Sequence, residues 1–160
     1  MEDIVNFHIR VRPSALVIRD DEILLVEYNS KKRGIHYYLP GGGADPGETI
    51  RQTVRREMIE ETTADVTVGQ IAFLYECQPQ DRVDDYSPSY HTIFIIFDCK
   101  LIDGSTPRLP EQPDLNQTGV KWMPLDELKN IKLVPNIAES IIEYAKNKRT
   151  IELIEDHIVR

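Results

Sequence analysis

Three glutamates, Glu57, Glu60 and Glu61, fall within one helical turn near the end of the stretch PGGGADPGETIRQTVRREMIEETTA, which runs from Pro40 to Ala64. Carboxylates at this spacing can do one of two things: pair with basic neighbours on a solvated face, or collect a hard divalent cation between them. The surrounding pattern is a glycine-rich loop, an Asp45-Pro46-Gly47 turn, and a helix expected over roughly residues 49 to 62. At about 100° per residue, Glu57, Ile50, Glu61, Val54 and Met58 share an arc of about 100°. Glu61 therefore falls inside the apolar stripe, whereas binary patterning would set it on the far side with Gln52, Arg55 and Ile59.

Such a placement is unfavourable unless something offsets it. Like charges at i,i+4, here Glu57 and Glu61, cost a few tenths of a kcal/mol, and anions near a helix C-terminus cost roughly 0.3–1 kcal/mol each. Arg56 can pair with Glu60 at i+4 but cannot neutralise the whole cluster. Oxygen donors alone, with no His or Cys nearby, suit Mg²⁺ or Mn²⁺ and argue against zinc. An ordinary ion-pair-laced helix, built from Arg55, Arg56 and the three glutamates, remains the competing reading of the same residues.

The elements that must position this helix read as strands. Ser14 to Tyr28 gives two β-type runs about Asp20-Asp21-Glu22, a hairpin signal. The segments DVTVGQIAFLYECQ and HTIFIIFDCKLI are β-rich and flank an acidic loop, PQDRVDDYSPSY; VKWMPL is a further short strand, DELKN a helical turn, and IAESIIEYAKNKR an amphipathic helix. The tail from Thr150 to Arg160 alternates imperfectly and reads either as an added strand or as a partner-binding arm. Strands and helices in mixed order predict an α/β sandwich around a mixed sheet, in one domain spanning residues 1–160. Within it the glycine loop and acidic helix occupy 42–64, and the last helix and tail 137–160.

Composition sets the outer bounds. The 160-residue chain carries 41% hydrophobic and 29% charged residues and a formal charge of −8. No run of apolar residues approaches membrane-spanning length, and the N-terminus lacks a basic-then-apolar leader, so a cytoplasmic protein is expected. The acidic balance disfavours nucleic acid and anionic membrane as partners. An anionic small molecule would then need a metal ion or a local basic pocket. Cys77 and Cys99 lie in apolar strand segments and are expected to be buried free thiols.

The spacing Gly42, five residues, Glu48, seven residues, then Arg56-Glu57-Met58-Ile59-Glu60-Glu61 resembles the signature box of Nudix hydrolases, a 23-position pattern that here ends at Ala64. The lead-in YLPGGG and the later VKWMPLDEL are also similar to that family. One position departs: Thr63 stands where the family has glycine. The resemblance implies an α/β/α sandwich and Mg²⁺-dependent hydrolysis of a nucleoside diphosphate linked to another moiety, such as a nucleoside triphosphate, ADP-ribose or a related nucleotide. It implies that Glu57, Glu60 and Glu61 ligate the metal with the carbonyl of Gly41, that Arg56 orients a glutamate, and that Glu48 braces the loop against the helix. The general base varies in such enzymes; Glu57, Glu76, Asp81, Asp84, Asp85, Glu111 and Asp114 are the candidates. A Nudix-like nucleotide sensor or interaction domain without catalysis is the alternative, and a structural oligomer with an ion-binding helix is a third reading.

Other residues are ambiguous at this level. Lys31, Lys32, Arg33, Arg10 and Arg12 either steer phosphates or are solvated surface. Tyr37, Tyr38, Phe73 and Tyr75 either stack on a base or, as expected by default, pack the core. Asn136 resembles the position where 8-oxo-dGTP-cleaving members of the Nudix family place a base-reading asparagine, which implies base reading; capping of the following helix is the alternative. His8, His36, His91 and His157 show no catalytic spacing. The Ile-rich last helix and the tail could build a homodimer.

Overall fold

The computed structural model describes residues 9–78, 91–149, 151 and 153–155. Among the described residues, seven strands and two α-helices follow one another as β1 (Arg10–Arg19), β2 (Glu22–Ser30), β3 (Gly34–Tyr38), α1 (Ile50–Thr62), β4 (Val66–Cys77), β5 (Thr92–Leu101), β6 (Gln117–Pro124), a 3-10 helix (Leu125–Asn130), α2 (Ala138–Asn147) and β7 (Leu153–Glu155). The strand order is β3-β2-β1-β5-β4-β7, with β6 on the other edge of β2. Parallel pairing of β1 with β5 and of β4 with β7, beside antiparallel pairs elsewhere, makes the sheet mixed, as the element order predicts.

The hairpin expected at Asp20-Asp21 forms, with both residues at positive φ, 53° and 61°. That is the geometry of a tight two-residue turn whose twist matches the strands it joins. Only Ile18–Ile23 and Arg19–Glu22 pair across it. Beyond them the strands part, β1 lying along β5 and β2 along β3 and β6. This divergence opens a gap beside β1, and the glycine loop fills it.

Period-two alternation sorts the side chains between two cores. Leu16, Ile23 and Leu25 face α2 and the 3-10 helix, packing on Ile137, Ile141, Tyr144, Leu128 and Leu133. Ala15, Val17 and Leu24 face the other way and pack with Val54 and Met58 of α1. Both faces of the sheet are thus covered, giving the three layers of an α/β/α sandwich. Phe73 and Tyr75 belong to the first core, as expected, and both cysteines are buried and outside any disulfide. Burial pushes the Cys99 thiol up to about 12.

Three local outcomes refine the sequence reading. The tail contributes a short strand, β7, paired to β4 through Leu74–Leu153, Tyr75–Ile154 and Glu76–Glu155. The cap of α2 is Ile137, without a side-chain hydrogen bond, so Asn136 does not cap it. Finally, α1 ends on Thr63 in the left-handed region, φ 60°, its N–H donating to Ile59 O. The turn that glycine would make without strain is made here by a β-branched residue.

Candidate functional site

The start of α1 is fixed by its own sequence. Thr49 caps the helix, accepting from the Gln52 N–H, while the Gln52 side chain accepts from the Thr49 N–H. This reciprocal pair satisfies two donors that a helix N-terminus otherwise leaves orphaned. Upstream, Gly47 at φ 82° and the Glu48 N–H to Asp45 O bond close the turn that aims the helix.

The glycine loop is pinned against β1 by backbone bonds: Ala15 N–H donates to Pro40 O at 2.7 Å and Gly42 N–H to Pro13 O at 3.3 Å. Two glycines are required by close approach. A Cβ on Gly41 would stand 2.5 Å from Pro13 O, and one on Gly42 only 2.2 Å from Glu57 Oε1. The loop can therefore reach β1 on one side and the Glu57 carboxylate on the other only without side chains.

The residues expected to form the site occupy distinct environments around this loop. Arg56 is a five-point clasp: Nε donates to Glu48 Oε2, Nη2 to Glu48 Oε1 and Gly43 O, and Nη1 to Glu57 Oε1 and Glu60 Oε2, all at 2.9–3.1 Å. Every N–H of the guanidinium is used. Glu48 also accepts from Asp45 N–H and the Thr53 hydroxyl. Its bonds to Arg56, to the Asp45 amide and to Thr53 pull its carboxyl down to about 2.

Glu61 is handled differently. It is 2% exposed, a charged residue on the apolar stripe as the helical projection predicts. Oε1 accepts from Gly41 N–H at 2.9 Å and Oε2 from the Tyr28 hydroxyl at 3.2 Å. Burial, opposed by the Gly41 amide and by the Arg12 charge, pushes its carboxyl up to about 7. Burial also raises Glu57, against the pull of Arg56. Glu60, by contrast, is largely exposed, its side chain at 57%.

The structure thus brings Gly41, Gly42, Glu48, Arg56, Glu57 and Glu61 together, with Glu60 at the rim. Among the described residues no three carboxylate, imidazole or thiol groups converge as ligands of one ion. The reason is visible in the bonds above: the Arg56 fork draws Glu57 and Glu60 to itself, while Glu61 turns to the loop amide. The donor set still fits a hard divalent cation, because it is all oxygen and because Glu61 is buried with no ion pair among the described residues, beside the half-buried Glu57. The Gly41 carbonyl accepts one bond, from Arg12 Nη2 at 2.8 Å, and retains a second lone pair.

Three contributors carry no clear signal in the sequence. Tyr28, at the end of β2, is 3.2 Å from Glu61 and 3.5 Å from Asp114 Oδ2 through one hydroxyl. Gln117, buried at the start of β6, donates from Nε2 to Glu61 O at 2.8 Å. Arg12 lies with its guanidinium 5.4 Å from the Tyr38 ring centroid. Alternation along β2 and β3 alone would have placed Tyr28, His36 and Tyr38 on one face, where they form a cluster of ring contacts. Tyr38 belongs to this cluster, not to the core.

Of the candidate bases, Asp114 is brought to the site through Tyr28, whereas Glu76 lies 3.1 Å from His91 and Glu111 is exposed. Asp81, Asp84 and Asp85 lie outside the described residues, as do His8 and His157. Lys31 and Lys32 are exposed, and Arg33 donates to the Tyr38 hydroxyl at 2.8 Å.

The chain is similar in sequence to known hydrolases and in fold to solved structures. The ADP-ribose pyrophosphatase of Methanocaldococcus jannaschii is 30% identical over 97 residues, 61% of this chain and 54% of that protein. The NAD-capped RNA hydrolase NudC of Stutzerimonas stutzeri is 27% identical over 141 residues, 87% of this chain and 46% of that protein. The chain thus spans about half the length of these relatives. Among solved structures, a NUDIX hydrolase from Nitrosomonas europaea has the same fold at a TM-score of 0.71 and 22% identity, covering 89% of this chain and 93% of that one. The MutT protein of Methanosarcina mazei does so at 0.67 and 20%, covering 91% and 99%. The NUDIX domain family matches residues 8–144, most of the sequence, and the chain belongs to the Nudix family.

Proposed function

We propose that this chain is a single-domain pyrophosphohydrolase that cleaves a pyrophosphate bond in a nucleoside diphosphate linked to another moiety, with a nucleoside triphosphate, ADP-ribose or a related nucleotide as substrate. The observation that carries the reading is Glu61: a carboxylate almost wholly buried, held by Gly41 N–H and Tyr28, beside a half-buried carboxylate, Glu57. A fold tolerates a buried, under-compensated acid beside a second carboxylate when a cation or a proton is to be handled there.

In this reading Glu57, Glu60, Glu61 and the Gly41 carbonyl would hold Mg²⁺ or Mn²⁺. The ion would supply charge neutralisation on the phosphate oxygens and lower the pKa of an attacking water. Arg56 fixes the Glu57 and Glu60 carboxylates, and Glu48 fixes Arg56 and the turn ahead of the helix. The proton of the attacking water passes to a carboxylate, Glu57 or Asp114; abolished turnover in Asp114→Asn with Mg²⁺ affinity unchanged would assign it to Asp114, and retained turnover would leave it to Glu57. The partner is a small anionic nucleotide; a net charge of −8 supports no role for nucleic acid or membrane, and a cytoplasmic location follows the same expectation. A homodimer through α2 and the tail remains part of the proposal.

Release of phosphate or pyrophosphate across nucleoside triphosphates, oxidised nucleotides, nucleotide sugars, ADP-ribose and dinucleoside polyphosphates, with Mg²⁺ and with EDTA, tests the reading. Metal-dependent release that falls at least 10³-fold in Glu61→Gln is expected, the scale of losing a central electrostatic group. Full activity in that variant would sink the role given to Glu61, and silence across the panel would favour a sensor.

A further inference from the structure

The arginines beside the glycine loop differ in what they have left to give. Arg56 spends all five N–H groups inside the protein, on Glu48, Gly43 O, Glu57 and Glu60. It has none for a ligand. Arg12 gives one bond, from Nη2 to Gly41 O at 2.8 Å, and rests on the Tyr38 ring. Arg10 lies two residues earlier on β1, hence on the same face. A Cβ on Gly43 would stand 3.7 Å from both its Nε and Nη2, so its guanidinium flanks the loop one step further out. Among the described residues Arg10 makes no ion pair.

The loop runs antiparallel to β1 through the Ser14–Gly41 bridge, so the two guanidinia are spaced along it as Gly41 and Gly43 are. Next to them stand Glu57 and Glu61, in a protein of net charge −8. A polyphosphate approaching this place meets repulsion unless cations face it. Guanidinium is always charged and presents paired N–H groups that match two phosphate oxygens. Were these arginines only counter-charges for the acids, both would be expected on a carboxylate; among the described residues Arg10 is on none.

We propose that Arg10 and Arg12 form a clamp for the phosphate that is not attacked, the second phosphate of the diphosphate group, and that Tyr38 holds Arg12 in position for it. The clamp rests on the reading of the site as a nucleotide pyrophosphate site, and it specifies that the recognised feature is a phosphate chain of at least two units.

Calorimetric titration with inorganic pyrophosphate in the presence of Mg²⁺, and with Mg²⁺ alone, tests it on the full chain and on Arg10→Ala, Arg12→Ala and the double variant. Arg10→Ala is expected to weaken pyrophosphate about tenfold, the effect of one charge-assisted contact. The double variant is expected to lose about 100-fold, with Mg²⁺ affinity unchanged in Arg10→Ala. Because Arg10 is exposed, misfolding cannot account for its effect. Pyrophosphate affinity within threefold of the parent in Arg10→Ala, an equal loss of Mg²⁺ affinity, or no saturable pyrophosphate binding by the parent chain would each overturn the clamp. The clamp and the hydrolase reading fail separately. A chain that binds pyrophosphate through these arginines yet cleaves no nucleotide keeps the first and loses the second. A metal-dependent hydrolase indifferent to Arg10→Ala does the reverse.

Discussion

Two groups of charges are held by the C-terminal half of α1, and they are built on opposite terms. Around Arg56 every donor has an acceptor, and Glu48 is held well down in its titration by those bonds. Around Glu61 the balance is short: one backbone amide, one phenol and a nearby guanidinium face a carboxylate that is 2% exposed, and its titration moves up to about 7. The saturated group sets geometry: Arg56 has no N–H left for a ligand, while the carboxylates it fixes keep free lone pairs. The unsaturated group is where a ligand, proton or cation gains most by arriving. The difference between a structural and a chemical glutamate is therefore not in the residue type but in how many of its partners the protein has already supplied.

The comparison breaks most severely if the clasp is emptied. Arg56→Ala leaves Glu48, Glu57 and Glu60 without a shared cation, and loss of one partner from a partly buried network costs about 2–4 kcal/mol. A melt displaced downward by that amount is expected, with turnover reduced about 10²-fold because Glu57 is no longer held. Arg56→Lys should recover little, since an ammonium cannot make the five-point fork. Recovery of parental stability by lysine would show that charge alone, not geometry, is at work.

The opposite behaviour is expected at Glu61. Its carboxyl titrates at about 7 in the fold against 4.5 for an unperturbed glutamate, so the folded chain holds more protons between those values. Stability therefore falls as pH rises through that window, by on the order of 3 kcal/mol in total. In EDTA, Glu61→Gln removes this loss, so at pH 8 the variant should melt above the parent, and at pH 4 the two should converge. A parent more stable at pH 8 than the variant would show that the deficit of positive charge is not real.

Tyr28→Phe offers a gentler probe of the same place. It deletes the hydroxyl shared by Glu61 and Asp114 while keeping the ring contacts with His36 and Tyr38. Loss of one hydrogen bond to a charged group predicts a stability change of about 1.5 kcal/mol and about tenfold in turnover. The pH profile should shift too, because the phenol supports the ionised form of Glu61.

Much of this is legible before any fold. Helical projection puts Glu61 on the buried stripe, and turn chemistry marks Asp20-Asp21 and Asp45-Pro46-Gly47. The family spacing names Glu48 and Arg56. What sequence spacing does not supply is contact from distant strands: Tyr28 is 33 positions from Glu61 and Gln117 is 56. Nothing local in either residue signals the partner, because the partner arrives only when β2 and β6 pair beside α1. Tyr38 departs from its expected place in the core for a related reason. Strand alternation gives a face, but only the divergence of β1 from β2 decides that this face opens on the glycine loop. The tail stays ambiguous in the sequence because three residues of edge strand carry too little pattern.

The smallest expected effect concerns the end of the helix that bears these charges. Thr63 holds φ 60°, a conformation that a β-branched residue adopts only with strain of about 1–2 kcal/mol, and among the described residues its side chain makes no hydrogen bond there; the hydroxyl bonds at this terminus are those of Thr62. The N–H to Ile59 O bond that closes the turn is a backbone bond and survives substitution. Thr63→Gly therefore removes strain and loses only the extra entropy that glycine brings to the unfolded chain, a partial offset. A net gain of about 0.5–1 kcal/mol follows, seen as a rise of roughly 2–3 °C in melting temperature for a chain of this size. Turnover should not change, because neither Glu61 carboxylate contact runs through Thr63. A lower melting temperature would mean that the threonine is held at this angle by packing worth more than the strain, and that the saturated and unsaturated charge groups share a terminus more tightly built than the bonds around it indicate.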